Sequence, residues 1–165
     1  MKSLYSLTCA IIFGLILLSA SNSFAMEPHD KEALGDLTSA KALFDVTTAD
    51  GPTLLFYLQL IGSAIDDMKE EGVTPEVVVL FHGKSVEWVT EDLEKIPDHQ
   101  VASKIHAELA KLGLKSEVNM EACSVANRVF GVKNDTIVKD VHVANNTWIS
   151  AIGYQNRGFA IVPVP

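Results

Sequence analysis

The chain has 165 residues, 48% of them hydrophobic and 21% charged, and a net charge of −8 at neutral pH. An acidic balance of that size argues against nucleic acid or an anionic membrane surface as a partner. The length suffices for one domain with a substantial core and is too short for two.

A leader comes first. Lys2 is the single charge of a short n-region, and residues 9–20 (CAIIFGLILLSA) form an apolar block of h-region length. Ser23-Phe24-Ala25 puts small residues at the −3 and −1 positions of a cleavage site. The pattern predicts a secretory signal peptide over residues 1–25, too short and wrongly flanked for a transmembrane helix. No lipobox precedes Cys9, so no lipid anchor is expected. Removing Lys2 takes the net charge from −8 to −9. The mature protein is expected to be exported to the periplasm, soluble, and without a membrane span once the leader is cleaved.

Residues 26–39 (MEPHDKEALGDLTS) are polar and read as a mobile N-terminal arm, so the domain proper is expected over residues 40–165. Residues 42–47 (ALFDVT) predict a first strand. Residues 52–71 carry helical periodicity through Leu55, Tyr57, Leu58, Ile61, Ile65 and Met68, with Pro52 at the start and Gly72 at the stop. The continuous apolar run 76–81 (EVVVLF) marks a strand buried on both faces, ended by His82-Gly83. A polar segment with Trp88 follows over residues 83–97, including a short helical turn.

A second amphipathic helix is expected over residues 98–112, with Val101, Ile105, Leu109 and Leu112 on one face and Gly113 as its stop. Residues 115–120 predict a third strand, 123–130 a short helix closed by Gly131, and 134–138 a turn. Residues 141–144 predict a fourth strand, 146–156 a helix carrying Trp148, Ile149 and Ile152, and 159–164 the last strand.

Strands alternating with helices call for right-handed crossovers and a mainly parallel sheet. The expected fold is a three-layer α/β/α sandwich around five strands, of flavodoxin-like proportions. Parallel strands send the loops that follow them to one edge, where ligands bind. The segments 47–51, 82–84, 121–124 and 145–147 are therefore expected to be neighbours.

Of two cysteines only Cys123 remains after the leader is cleaved, so no intramolecular disulfide can form. A buried inert thiol, an intermolecular bridge and a functional nucleophile are left. Cys123 follows a strand and opens a helix, where unpaired N–H groups and the helix dipole favour a thiolate. Glu121, two residues away, would oppose that if its carboxylate faced the sulfur. Without a second cysteine nearby, CxxC-type redox chemistry is excluded. His82, at the end of the second strand, can hold a thiolate or cap its own loop. Ser124 and Asn145 share that edge as candidate binding residues with Glu121.

The other histidines show no metal-ligand spacing, and no metal is expected. In Thr48-Ala49-Asp50-Gly51-Pro52-Thr53 a carboxylate and a missing N–H fit helix capping better than a phosphate cradle, so no flavin or nucleotide cofactor is expected.

Three stretches together resemble the DsrE/DsrF-like family, in its exported single-domain branch: VVVLFHG (77–83), VNMEACSVANRVFGV (118–132) and VHVANNTWISAIGYQNRGFAIVPV (141–164). The likeness spans residues 41–164, and its most specific pieces are His82-Gly83, Cys123, and Gln155 with Gly158. The resemblance implies a three-layer α/β/α fold, homo-oligomers and a link to sulfur metabolism. It further implies that Cys123 carries sulfane sulfur as a persulfide, exchanged with a donor or acceptor protein, with His82 beside it. Composition and position alone leave a second reading open. In it the protein is a non-catalytic oligomeric module that binds a small ligand or a protein, and Cys123 is packed.

Overall fold

The run VVVLF (77–81) has no polar side to turn to water, and it forms the middle of the sheet. The structure is a computed structural model that describes residues 29–165; the expected leader and its cleavage site lie outside the described residues. A single helical turn, Lys31–Leu34, precedes the sheet. Strands β1 (Ser39–Val46), β2 (Thr74–Phe81), β3 (Val118–Cys123), β4 (His142–Ala144) and β5 (Ala160–Val164) stand in the order β4-β3-β2-β1-β5. All four pairings are parallel.

Side-chain alternation divides the sheet into two faces. Val77, Val79, Phe81, Val46 and Met120 pack on one face against α1 (Gly51–Glu70) and α2 (His99–Gly113), through Leu58, Ile65, Ile105 and Leu109. Each of these apolar side chains contributes about 1.5–3 kcal/mol on full burial. Leu43, Val78, Leu80 and Phe159 line the other face, beneath Ala151 and Tyr154 of α4 (Thr147–Asn156). The short α3 (Ser124–Phe130) sits at the end of β3. The order explains the layers. From β1 to β3 the chain steps one way across the sheet, and for β5 it returns past β1, so a right-handed crossover puts the last helix on the opposite face.

Three helices begin on an Asx cap. Asp50 Oδ2 accepts from Thr53 N at 2.9 Å, Asp98 Oδ1 from Gln100 N and Val101 N at 2.8 and 3.0 Å, and Asn146 Oδ1 from Trp148 N at 3.0 Å.

Several boundaries differ from the sequence expectations, each for a local reason. β1 starts at Ser39 rather than residue 42, because Ser39 and Ala40 pair with Thr74 and Pro75. The third strand is Val118–Cys123 rather than 115–120. A turn closed by Lys115 N to Leu112 O (3.0 Å) and Val118 N to Lys115 O (3.0 Å) takes up the residues after α2. Cys123 is consequently the last strand residue and the cap position of α3, not its first helical residue. In α4, Trp148, Ile149 and Ile152 are 70%, 65% and 61% exposed, while Thr147, Ala151 and Tyr154 turn inward. Polar side chains on β3 account for that choice: Tyr154 OH donates to Glu121 Oε1 at 2.7 Å and accepts from Asn119 Nδ2 at 2.7 Å.

The indole of Trp88 donates Nε1–H to Ala49 O at 2.9 Å and covers Gly51, where an added Cβ would lie 2.5 Å from the ring. Gly51→Ala is expected to destabilise the fold by about 1–3 kcal/mol through overpacking. Gly62→Ala, whose new Cβ meets nothing closer than 3.9 Å, is expected to stabilise it by about 0.5–1 kcal/mol. Urea midpoints of the two variants check this, and a Gly51→Ala midpoint at or above that of wild type would contradict the seating of Trp88.

Candidate functional site

Phe81 of β2 pairs with Ala122 of β3, so the next residues outward, His82 and Cys123, leave the sheet as neighbours. Beyond them the chain turns through Gly83 at φ 60°, a left-handed value that glycine adopts without strain. Ala144 of β4 pairs with Cys123 and brings Asn146 to the same edge. His82, Gly83, Cys123 and Asn146 form one wall of a cavity of about 300 Å³. Val125, Ala126, Val129, Phe130 and Trp148 form the rest of it. Three of the four segments expected at the edge line the cavity. The fourth, residues 47–51, lies beside Gly83, with Thr47 O 3.7 Å from where a Cβ would stand there, and it also holds Trp88 through Ala49 O.

Cys123 is 5% exposed and packs against Val86, Ala126 and Val132. Burial, the largest single influence, pushes its thiol up. Dipoles aimed at the sulfur outweigh that: the N–H groups of Thr147, Ala126 and Val125 together with the Thr147 hydroxyl hold it below its ordinary value of 9.0. The thiol makes no cap bond to α3, and Thr147 Oγ1, in a residue 1% exposed, has no hydrogen-bond partner. These groups therefore act on the thiol as oriented dipoles rather than formed bonds, and a thiolate would draw them in.

His82 Nε2 lies 2.7 Å from Asp45 Oδ1. An ionised carboxylate only accepts, so in this contact Nε2 carries the hydrogen and the ring is held in one orientation. Asp45 follows Leu43 on the inner side of β1, one strand from His82.

The other candidates are placed differently. Glu121 is held by Asn119 Nδ2 (3.0 Å) and Tyr154 OH (2.7 Å) and is not among the groups acting on the sulfur. Ser124 Oγ accepts from Asn134 Nδ2 at 2.9 Å and does not line the cavity. Asn145 is exposed, and its neighbour Asn146 takes the place on the cavity wall. His99 Nε2 and His106 Nε2 sit 2.9 and 3.0 Å from the carbonyls of Leu93 and Trp88.

Sequence reasoning placed residues 145–147 at this edge but singled out Asn145 rather than Asn146 or Thr147, and it passed over Asp45. The signal for Asp45 was available as a lone acid inside an apolar strand; nothing in the sequence marked Thr147 as the hydroxyl facing the sulfur. Chemically, the arrangement offers a stabilised sulfur nucleophile, an oriented imidazole and an apolar space beside both.

Residues 41–163 match the model of the DsrE/DsrF-like family. An uncharacterized protein of Aquifex aeolicus (strain VF5) is 30% identical over 125 residues, covering 74% of this chain and 55% of that protein. The chain thus spans about half the length of this curated relative. Among solved structures, a protein of unknown function from Methanobacterium thermoautotrophicum superposes with a TM-score of 0.60 at 17% identity, covering 75% of this chain and 98% of that one. That likeness shows the fold.

Thr147→Val keeps the backbone N–H and removes the hydroxyl that faces the sulfur. The Cys123 thiol is expected to titrate higher and to react more slowly with iodoacetamide at pH 7, with stability unchanged or raised by up to about 1 kcal/mol. A thiol whose folded value lies below the unfolded one adds stability as pH rises from the first to the second. Wild type should therefore gain stability over that window and Cys123→Ser should not. Unaltered alkylation in Thr147→Val would show that the hydroxyl does not act on the sulfur.

Proposed function

This chain belongs to the DsrE/DsrF-like family, which ties it to sulfur-relay-related chemistry, and from that premise we propose that it is an exported carrier of sulfane sulfur. In this reading the Cys123 thiolate attacks the outer sulfur of a donor persulfide, R–S–SH. A new S–S bond forms to Cys123, the donor's S–S bond breaks, and R–S⁻ leaves and takes from His82 the proton that the Cys123 thiol had passed to it on ionising. An acceptor thiolate then attacks the outer sulfur of Cys123–S–SH, and Cys123 departs as a thiolate. Donor electrons and atoms balance in both steps, and no external oxidant is needed.

One observation carries the proposal. The dipoles of Thr147, Ala126 and Val125 converge on a sulfur that shares its cavity with His82. Asp45 fixes the imidazole, and Asn146 caps the helix that brings Thr147 to the sulfur. The leader pattern of residues 1–25 supports export to the periplasm. Self-association is part of the same reading, supported by the exposed apolar stripe of Trp148, Ile149 and Ile152 on α4.

The 5% exposure of Cys123 favours a second reading, a binding module with a packed cysteine. The two differ in kinetics, since a packed thiol reacts slowly and only when denaturant opens the fold.

Incubation with inorganic polysulfide followed by intact mass measurement is expected to add one sulfur to wild type and none to Cys123→Ser. His82→Ala should slow the loading by about 10²-fold, the lower end of general acid–base contributions. No gain in wild type, or an equal gain in Cys123→Ser, would overturn the carrier reading. Ile149→Glu combined with Ile152→Glu should lower the sedimenting mass, and an unchanged mass would remove the α4 stripe from the assembly.

A further inference from the structure

The cavity wall beside Cys123 is built almost wholly of carbon. Val125, Ala126, Val129, Phe130 and Trp148 face it, and among the described residues no Lys, Arg, Asp or Glu lines it. An anion entering this space would exchange its hydration for hydrocarbon. The one ionisable group on the wall that could carry a positive charge, His82, already faces the Asp45 carboxylate at 2.7 Å. Together the two carry no net positive charge even when the imidazole is protonated.

The polar provision is small and local. Thr147 Oγ1 is buried without a hydrogen-bond partner, and it faces the cysteine sulfur rather than the wider space. One reacting sulfur can be served there. Further out, the three oxygens of a thiosulfate sulfonate would meet only neutral donors, the Asn146 amide and the Trp148 indole N–H, and no unpaired cation, so most of their hydration would go unreplaced. The acidic chain, at −8, also slows the approach of small anions.

Size points the same way. At about 300 Å³ the space is roughly twice the ~150 Å³ apolar cavity that holds a benzene molecule. A ring or branched alkyl group with a short sulfur chain fits. Val129 and Trp148, 69% and 70% exposed, stand at its opening.

We propose that this cavity selects sulfur carried on a small apolar organic group, an alkyl or aryl persulfide, over inorganic sulfur anions such as thiosulfate. The inference rests on the reading of Cys123 as a sulfur carrier and adds the class of its donor. The apolar group R occupies the space between Val125, Val129 and Trp148, its persulfide points to Cys123, and R–SH is released after transfer.

The test has two independent arms, both on the full mature chain. In the first, Cys123→Ser is titrated with benzyl methyl sulfide, which has no sulfur to transfer, and Trp148 fluorescence is followed. Saturable quenching that disappears in Trp148→Phe and is weakened at least tenfold by Val129→Arg is expected, with no response to sodium thiosulfate. In the second, wild type is loaded from benzyl persulfide released in situ or from thiosulfate, and each rate is divided by that of N-acetylcysteine. The ratio is expected to be at least tenfold higher for benzyl persulfide. Equal ratios, or no thioether binding while polysulfide still loads Cys123, overturn the donor assignment and leave the carrier reading standing. Thioether binding with no loading from any donor overturns the carrier reading, and the donor assignment with it.

Discussion

Across the parallel pairing of β2 and β3, Phe81 lies opposite Ala122, and the rest of the site hangs on that register. Side chains along a strand alternate between faces, so a slip of one residue would send Cys123 into the layer of α1 and α2 and leave His82 without it. Both faces of β2 are buried, Val77, Val79 and Phe81 on one side and Val78 and Leu80 on the other, so the register is set by β3, which turns Met120 and Ala122 into the α1–α2 layer and Asn119 and Glu121 toward Tyr154. The position of the Cys123 sulfur at the edge is thus set by packing in the middle of the sheet.

Burial and activation of the same thiol pull in opposite directions, and the balance is local. A sulfur with 5% exposure would ordinarily stay protonated. Here β4 ends beside it, so α4 starts there as well, and Thr147 presents both its N–H and its hydroxyl. Two chain segments far apart in sequence therefore serve one atom. Asp45 has a comparable part on the other side of the site, because it holds the ring of His82 in one orientation.

Much of the architecture was legible from local pattern. The apolar run of β2, the periodicities of α1 and α2, the glycine stops and the Asx caps each have a short-range physical cause. The juxtaposition of His82 and Cys123 followed from parallel strands alone. Other features depended on partners distant in sequence. β3 begins at Val118 because the turn after α2 takes three more residues than the apolar pattern showed. The inward side of α4 was set by Asn119 and Glu121 across the interface, which called for a tyrosine hydroxyl rather than isoleucine. Glu121 seemed a threat to the thiolate, yet the same hydrogen bonds engage its carboxylate elsewhere.

α4 has its large hydrocarbon groups on the wet side, and one of them, Trp148, is also the lip of the cavity. Any surface that comes to rest on Ile149 and Ile152 must cover or shift that indole. Were copies of this chain to meet through that face, concentration would govern access to the cavity. A dilute chain and an associated one would differ in who can reach the sulfur, with no change at Cys123 itself.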